Sequence, residues 1–317
     1  MTADVFAEWL RRQGIDVVQT PSSYWHRQGP RVYQAFPYHA LITPGDDELQ
    51  SFLRERGALG LRYSTPLEAD TGCLSYHAVC EDRSYGLESL SAWARKNVRR
   101  GGREASVAPM SFESLAADGW ALQRDTLDRQ ARQVPLREEA WRTRCLAARD
   151  LPGFQAWGAT VGDRLAASVI TCEIDGWGYM LSQQCHRDFL ASHVNNALAF
   201  TVTCALLARP GVRAILYGLH SLDAPPSVDE FKFRMGYTAK AVRQRVVFRR
   251  GARSLVNPMT HLLLRGARRL APRNATLAKA EGMVRFYRQG LQPLHGQPVP
   301  PGLARATERP PSTAVTR

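Results

Sequence analysis

The chain is 317 residues long, 44% apolar and formally +13 at neutral pH. That length allows about two domains around a substantial core, with the composition of an ordinary soluble globular protein. The charge is unevenly spread: residues 251–317 carry eleven Lys/Arg against Glu281 and Glu308, and Trp93–Arg103 carries five with no acid, so a near-neutral body bears two basic segments suited to an anionic partner. Cys73, Cys80, Cys145, Cys172, Cys185 and Cys204 form no C-x-x-C pair and no zinc-site spacing, so free buried thiols are expected and a metal site is not. Met1–Gly14 contains Asp4 and Glu8 and lacks the apolar centre of a secretory signal, and the uncharged stretch Val194–Ala208 is too short to cross a bilayer. A cytoplasmic protein is expected.

In chain order, Val5–Arg12 reads as a short amphipathic helix, Ile15–Gln19 and Arg31–Phe36 as strands separated by a turn at Gly29-Pro30, and Asp46 as the cap of a helix reaching Arg56. Leu59–Ser64 and Cys73–Val79 are further strands. Residues 86–104 form a basic helix on which Arg95, Lys96, Arg99, Arg100 and Arg103 recur at spacings of three and four, closed by a flexible Gly101-Gly102. Phe112–Arg132 and Arg137–Arg149 are amphipathic helices parted by Pro135.

Three β runs then follow, Phe154–Val161, Arg164–Ile174 and Gly176–Gln183, joined by the two-residue turn signals Gly162-Asp163 and Asp175-Gly176 into an antiparallel meander. Ser192 is positioned to cap a helix running to Ala208. Ala214–Tyr217 is a short strand, 218–227 a loop, the region of Phe231 a helical turn, and Ala239–Phe248 a strand. Asn257 and Pro258 start a basic amphipathic helix, a second spans Thr276–Arg288, and the Pro-rich sequence from Leu291 is expected to be disordered. The pair of helices suits either packing over the body or an anionic membrane surface, with packing favoured.

No G-x-S-x-G elbow, H-E-x-x-H, P-loop or dinucleotide fingerprint is present, so hydrolase, metalloprotease, NTPase and Rossmann chemistry lack support. Two motifs do carry a signal. Phe231-Lys232, followed by Met235-Gly236, resembles the Phe-Lys-x-x-Phe-Gly element of the FemAB-like transferases, which are built from GNAT-type domains. Ala94-Arg-Lys-Asn-Val-Arg-Arg100 resembles their Arg-x-Asn-Ile-Arg-Lys segment, and the order of elements from about residue 30 to 250 is similar.

The resemblance implies an α/β fold with a mixed, largely antiparallel GNAT-type sheet flanked by helices. It also suggests a tandem of a reduced and a complete copy, with C-terminal helices added. Boundaries would fall at 1–88 for a small N-terminal domain, 89–250 for the acyltransferase domain, 251–290 for a basic helical extension and 291–317 for a disordered tail. The implied activity is transfer of an acyl group to an amine of an envelope precursor or amino sugar, without a covalent enzyme intermediate.

In this scheme Lys232 stands beside the developing oxyanion with Phe231 positioning it, and His220, Asp223 and Glu230 are candidates for proton transfer. The donor would lie along Tyr179, Leu181 and Gln183 and over the loop and helix start at Arg187, Ser192 and Asn195, where unpaired N–H groups suit a pyrophosphate. That loop, Gln184-Cys-His-Arg-Asp-Phe-Leu-Ala-Ser192, lacks the glycines of acetyl-CoA enzymes, while Asn195-Asn-Ala-Leu198 is similar to the Asn-Asn-x-Leu of the FemAB-like branch. Acyl-CoA and aminoacyl-tRNA are both eligible co-substrates, with no tightly bound cofactor. Arg95, Lys96, Arg99 and Arg100 suit tRNA, whereas the short first domain and the lack of an inserted coiled-coil arm favour the thioester. A rival is a non-catalytic envelope-assembly adaptor that docks on the inner face of the membrane, or on a partner, through residues 257–288.

Overall fold

The computed structural model describes residues 1–130, 137–223 and 226–308. Helix α1 (Ala3–Arg12) leads into strands β1 (Val17–Gln19), β2 (Tyr24–Gly29) and β3 (Val32–Phe36), helix α2 (Asp46–Glu55), and strands β4 (Gly60–Thr65) and β5 (Cys73–Cys80). Next come α3 (Ala92–Glu104), β6 (Ser106–Met110), α4 (Phe112–Arg129), α5 (Glu138–Leu146), β7 (Phe154–Val161), β8 (Arg164–Ile174), β9 (Trp177–Cys185) and α6 (Val194–Leu207). The chain continues through β10 (Ala214–Leu219), α7 (Pro226–Arg234), β11 (Thr238–Phe248) and helices α8 (Arg250–Arg253), α9 (Pro258–Leu270), α10 (Ala275–Gly290) and α11 (Pro301–Glu308).

All eleven strands form one sheet in the order β1-β2-β3-β4-β11-β5-β10-β9-β8-β7-β6. Among the described residues only β3–β4 and β9–β10 are parallel, which makes the expected mixed, largely antiparallel sheet. The order is a near-palindrome with a physical origin. In each half an antiparallel hairpin (β2-β3, β8-β9) is followed by a helix (α2, α6) that returns the chain to a parallel strand (β4, β10), as a parallel neighbour requires. The last strand of each half then crosses over: β5 pairs with β10, β11 pairs with β4, and β5 and β11 pair with each other at the centre. Strands from both sides of residue 88 therefore share one hydrogen-bonded core.

The meander turns are as the sequence dictates: Gly162, Asp175 and Gly176 all have positive φ, the left-handed backbone that a tight hairpin turn demands. Two strands were not legible. β2, Tyr-Trp-His-Arg-Gln-Gly, has a polar composition that hides its pairing with β3, and β6 carries Pro109, which the ladder tolerates because β6 is the last strand of the sheet. Gly101-Gly102, expected to loosen the basic helix, instead lies within α3. Residues after 290, expected to be disordered, include α11 within the described part. There, Gln297 is buried, accepts from the Leu74 amide at 2.6 Å and donates to the Gly72 carbonyl at 3.1 Å, which ties the segment to the start of β5. Expectations at Ala131, Arg132, Pro135 and 309–317 fall outside the described residues.

Packing of the helices follows their apolar stripes. Trp141 and Cys145 of α5 and Leu115 of α4 are buried with Phe6 of α1 against Ile170, Cys172 and Tyr179 of the sheet. α3 and α6 lie together, with Ala94, Val98, Leu198 and Val202 in a second buried cluster. All six cysteines are free, and five of them are buried.

Candidate functional site

The parallel pair β9–β10 is short. Its registered partners end at Leu216↔Tyr179, yet β9 runs on to Cys185 and β10 to Leu219. Each strand turns away at an irregularity. The β8–β9 register slips between Ser182 and Met180, leaving Leu181 as an extra residue, and the β10–β5 register slips at Tyr217, before Gly218. A bulge re-aims every side chain beyond it. Consequently Met180, Gln183 and Cys185 face the same opening, whereas Tyr179 turns to the opposite side of the sheet.

The sheet thus splits, and a cavity of about 560 Å³ fills the gap. It is lined by Met180, Leu181, Gln183 and Cys185 of β9, Tyr217 of β10, Asn195 of α6 and Phe231 and Lys232 of α7, with Arg129 at the end of α4. Tyr217 bridges the split by donating its hydroxyl hydrogen to Gln183 Oε1, and Gln183 Nε2 donates to Asn195 Oδ1 at 2.6 Å. Arg129 donates to the Cys185 carbonyl at 3.0 Å. The equivalent gap in the N-terminal half is closed, because the chain after β3 lays Ile42 against β4 and its amide donates to the Ser64 carbonyl at 3.0 Å. One half of the near-palindrome has a crevice at this position, and the other has it plugged.

Lys232 is 8% exposed and its ammonium lies 5.6 Å from the centre of the Tyr217 ring. Nζ donates to Asp229 Oδ1 at 2.6 Å, and Tyr76 donates to Asp229 Oδ2 at 2.6 Å. A buried ammonium needs such a partner, and the i,i+3 spacing on α7 supplies it. This pair was not anticipated from the sequence, although that spacing was its visible signal. Gly218 sits beneath the ammonium at φ +154°, and a Cβ there would lie 3.7 Å from Nζ.

No protein-family model and no curated protein sequence matches the chain. Solved structures do. The C-terminal domain of an Agrobacterium fabrum protein assigned as a lysylphosphatidylglycerol synthetase is similar with a TM-score of 0.52 at 12% identity, over 83% of this chain and 94% of that one. FemX gives a TM-score of 0.51 at 10% identity over 75% of this chain and 90% of its own. L-PGS from Bacillus licheniformis gives 0.50 at 11% identity over 78% and 91%. The chain has the FemAB-like fold of these structures.

Within this FemAB-like fold the anticipated residues separate into two groups. Lys232, Phe231, Leu181, Gln183 and Asn195 line the cavity together. The others lie elsewhere, each for a definable reason. Glu230 pairs with Arg234 four residues on, at 2.5 Å along the outside of α7. Asp223 forms a local turn, its amide donating to Ser221 Oγ at 3.3 Å and its carboxylate accepting from that hydroxyl at 3.0 Å. His220 is stacked on Tyr76 with ring centres 4.6 Å apart and lies against Phe286, while its carbonyl accepts from Arg62 at 2.7 Å.

Tyr179 is buried on the far face with its hydroxyl on His39. Arg187 reaches Asp125 of α4, whose carboxylate also accepts the Arg187 amide at 3.0 Å, so the Arg187 part of the anticipated phosphate site is taken by a carboxylate. Ser192 is not the helix cap; His193 is, with φ +58° and no capping side-chain bond. Thr126, Arg129, Gln130, Met180, Cys185, Leu190, Tyr217 and Val228 complete the lining and were not singled out in the sequence; the two bulges that aim the strand residues among them leave no mark in its pattern.

The chemistry within reach is narrow. Burial pushes the Cys185 thiol up to about 11, so at neutral pH it is not a thiolate nucleophile. Among the described residues no cluster of His, Cys, Asp or Glu could hold a metal ion, and no helix is long and apolar enough to cross a membrane.

Burial also holds four histidines neutral: His26, His39 and His220 are lowered to about 4 and His77 to about 3. An unfolded chain protonates them near 6.5, so the stability they contribute is complete above that value and is lost as pH falls toward 4. The melting temperature should be flat from about pH 7 to 8 and drop steeply between about pH 6 and 4. A flat profile across the acid range would show that these rings are solvated.

Proposed function

We propose that the chain is a transferase that moves an acyl or aminoacyl group onto an amine, with the reacting carbonyl held in the cavity of the split sheet against Lys232. The observation that carries this is a buried, carboxylate-held ammonium lining the gap between the parallel strands β9 and β10 of a FemAB-like fold. In the reaction an uncharged amine attacks the carbonyl carbon of an ester or thioester. A C–N bond forms, charge gathers on the carbonyl oxygen opposite Nζ, the C–O or C–S bond breaks, and the amine proton leaves with the departing oxygen or sulfur. Asp229 and Tyr76 keep the ammonium in place, so little reorganisation is needed as charge develops. No covalent enzyme intermediate is required, which agrees with the protonated Cys185.

Between the two donors, aminoacyl-tRNA is favoured. The Asp125 carboxylate on the Arg187 amide would have to be displaced by a coenzyme A pyrophosphate. Meanwhile Lys96, Arg99, Arg100 and Arg103 are exposed on α3, the helix packed against the start of α6 that supplies Asn195 to the cavity. A polyanionic donor held there is recognised by charge, with salt-sensitive affinity. The acceptor class implied by the resemblance is an amine-bearing envelope precursor or amino sugar.

Native mass spectrometry of the purified chain against panels of acyl-CoA and charged tRNA tests the donor. A charged tRNA bound at low salt, and weakened by Arg99→Gln/Arg100→Gln, is the expected result. A retained acyl-CoA would reverse the preference, and binding of neither would remove it. The adaptor alternative predicts a folded protein that binds neither donor and turns nothing over.

A further inference from the structure

The helix α9 is amphipathic but lies the opposite way round from a helix that packs over a core. Its polar side faces the body: His261 Nε2 bonds Glu281 Oε1 at 3.0 Å, Arg268 Nη1 bonds Glu281 Oε2 at 3.0 Å, and Arg288 Nη1 meets His261 Nδ1 at 2.9 Å. Glu281 is itself buried on α10 and is also approached by Arg285 at 3.4 Å. This network of charge-assisted hydrogen bonds fixes the roll of α9 about its axis. Its apolar side is therefore held outward: Met259, Leu262, Leu263 and Leu270 are 64%, 62%, 65% and 90% exposed, and Leu255, just before the helix, is 67% exposed. At about 100° per residue Met259, Leu262, Leu263 and Leu270 fall on one stripe along a helix of about 20 Å.

A stripe of this kind is costly in water and implies an occupant. The surrounding charge identifies it. Exposed Arg265 and Arg269 run along one flank of the stripe, exposed Arg249, Arg250, Arg273 and Lys279 lie near its ends in sequence, and no Asp or Glu occurs anywhere between 249 and 280. Apolar side chains bordered by unopposed arginines match a surface whose interior is apolar and whose face is anionic.

We infer that the outward stripe of α9 docks the protein on an anionic phospholipid surface, with its leucines in the acyl boundary and its arginines among the headgroups. A polar face anchored inward and an apolar face turned outward is the arrangement of a helix lying in an interface plane, not of one spanning it. The inference does not rest on the transfer reaction, and its test needs no turnover.

The full chain is mixed with vesicles of phosphatidylcholine alone, or with about one third phosphatidylglycerol, and separated by flotation. Binding to the anionic vesicles only is expected. Met259→Ser/Leu262→Ser/Leu263→Ser should abolish it at any salt, and Arg265→Gln/Arg269→Gln/Arg273→Gln should weaken it roughly 100-fold, reproducing the effect of high salt on the native chain. All six positions are exposed, five on α9 and Arg273 in the link that follows it, so thermal melting of both variants should match the native protein. Failure to float with anionic vesicles would overturn the proposal. So would a stable dimer in solution that the serine variant dissociates, because the stripe would then belong to a second copy of the chain.

Discussion

Replacing Lys232 with methionine should lower transfer by about 10² to 10³-fold, the usual consequence of removing one preorganised donor at an oxyanion. Methionine keeps the apolar stem that packs beside Tyr217 and Phe231, so the cavity survives while the charge is lost. The substitution also leaves the Asp229 carboxylate buried with, among the described residues, the Tyr76 hydroxyl as its remaining side-chain partner, which should cost about 3 kcal/mol of stability. That cost provides the control. In the double variant Lys232→Met/Asp229→Asn the unpaired charge is gone, so denaturant midpoints should return most of the way to the native value while turnover stays low. Single-turnover rates on the native chain and both variants separate the two effects. A double variant that turns over at the native rate would show that the ammonium only balances Asp229, and the oxyanion role of Lys232 would have to be abandoned.

The second large effect belongs to a glycine outside the cavity. A Cβ on Gly101 would lie 2.3 Å from the His193 carbonyl oxygen and 3.0 Å from the Ala197 side chain, so α3 can approach the start of α6 only without one. Gly101→Ala must push the helices apart against backbone atoms, and a loss of roughly 3 kcal/mol is expected. Gly102, the next residue, has nothing within 4 Å of the same position. Gly102→Ala should therefore stabilise the chain by about 1 kcal/mol through helix propensity alone. The contrast between neighbours isolates packing from propensity, and chemical denaturation of the pair measures it. Because Asn195 sits in the first turn of α6 and accepts from Gln183, Gly101→Ala should also weaken donor binding, whereas Gly102→Ala should not. Equal midpoints for the two variants would mean that the helices are not in close contact.

The clearest parts of the molecule in its sequence were those governed by local rules. The β7–β8–β9 meander follows from two turn signals, the start of α9 from Asn257-Pro258, whose cap bond to the Thr260 amide is 2.9 Å, and Lys232 from the wording of α7. Local rules also misled at points where a long-range contact won. Gly101-Gly102 reads as a helix end, yet close packing on His193 retains it within α3. Ser192 reads as a cap, yet the left-handed turn falls at His193. The tail after residue 290 reads as unstructured, yet Gln297 finds backbone partners on β5 and just before it.

The site itself was half legible for the same reason. Gln183 and Asn195 could be named because the β9 strand and the α6 start were visible, but a strict alternation puts Tyr179, Leu181 and Gln183 on one face. One extra residue at Leu181 breaks that parity, and no composition or spacing announces it. Proton-transfer candidates chosen by nearness in sequence, His220, Asp223 and Glu230, were drawn into stacking, a local turn and a helix-surface ion pair, while Asp229 received the ammonium.

By itself the sequence determined most of the elements, though not β2, β6 or α11, together with the two basic segments and the lysine, since hydrophobic period, turn residues and charge act over a few residues. Only the tertiary structure decided where the sheet splits, which side chains meet in the gap, and that α9 turns its leucines outward. Those outcomes depend on bulges, helix approach and a buried carboxylate, each set by contacts between segments far apart along the chain.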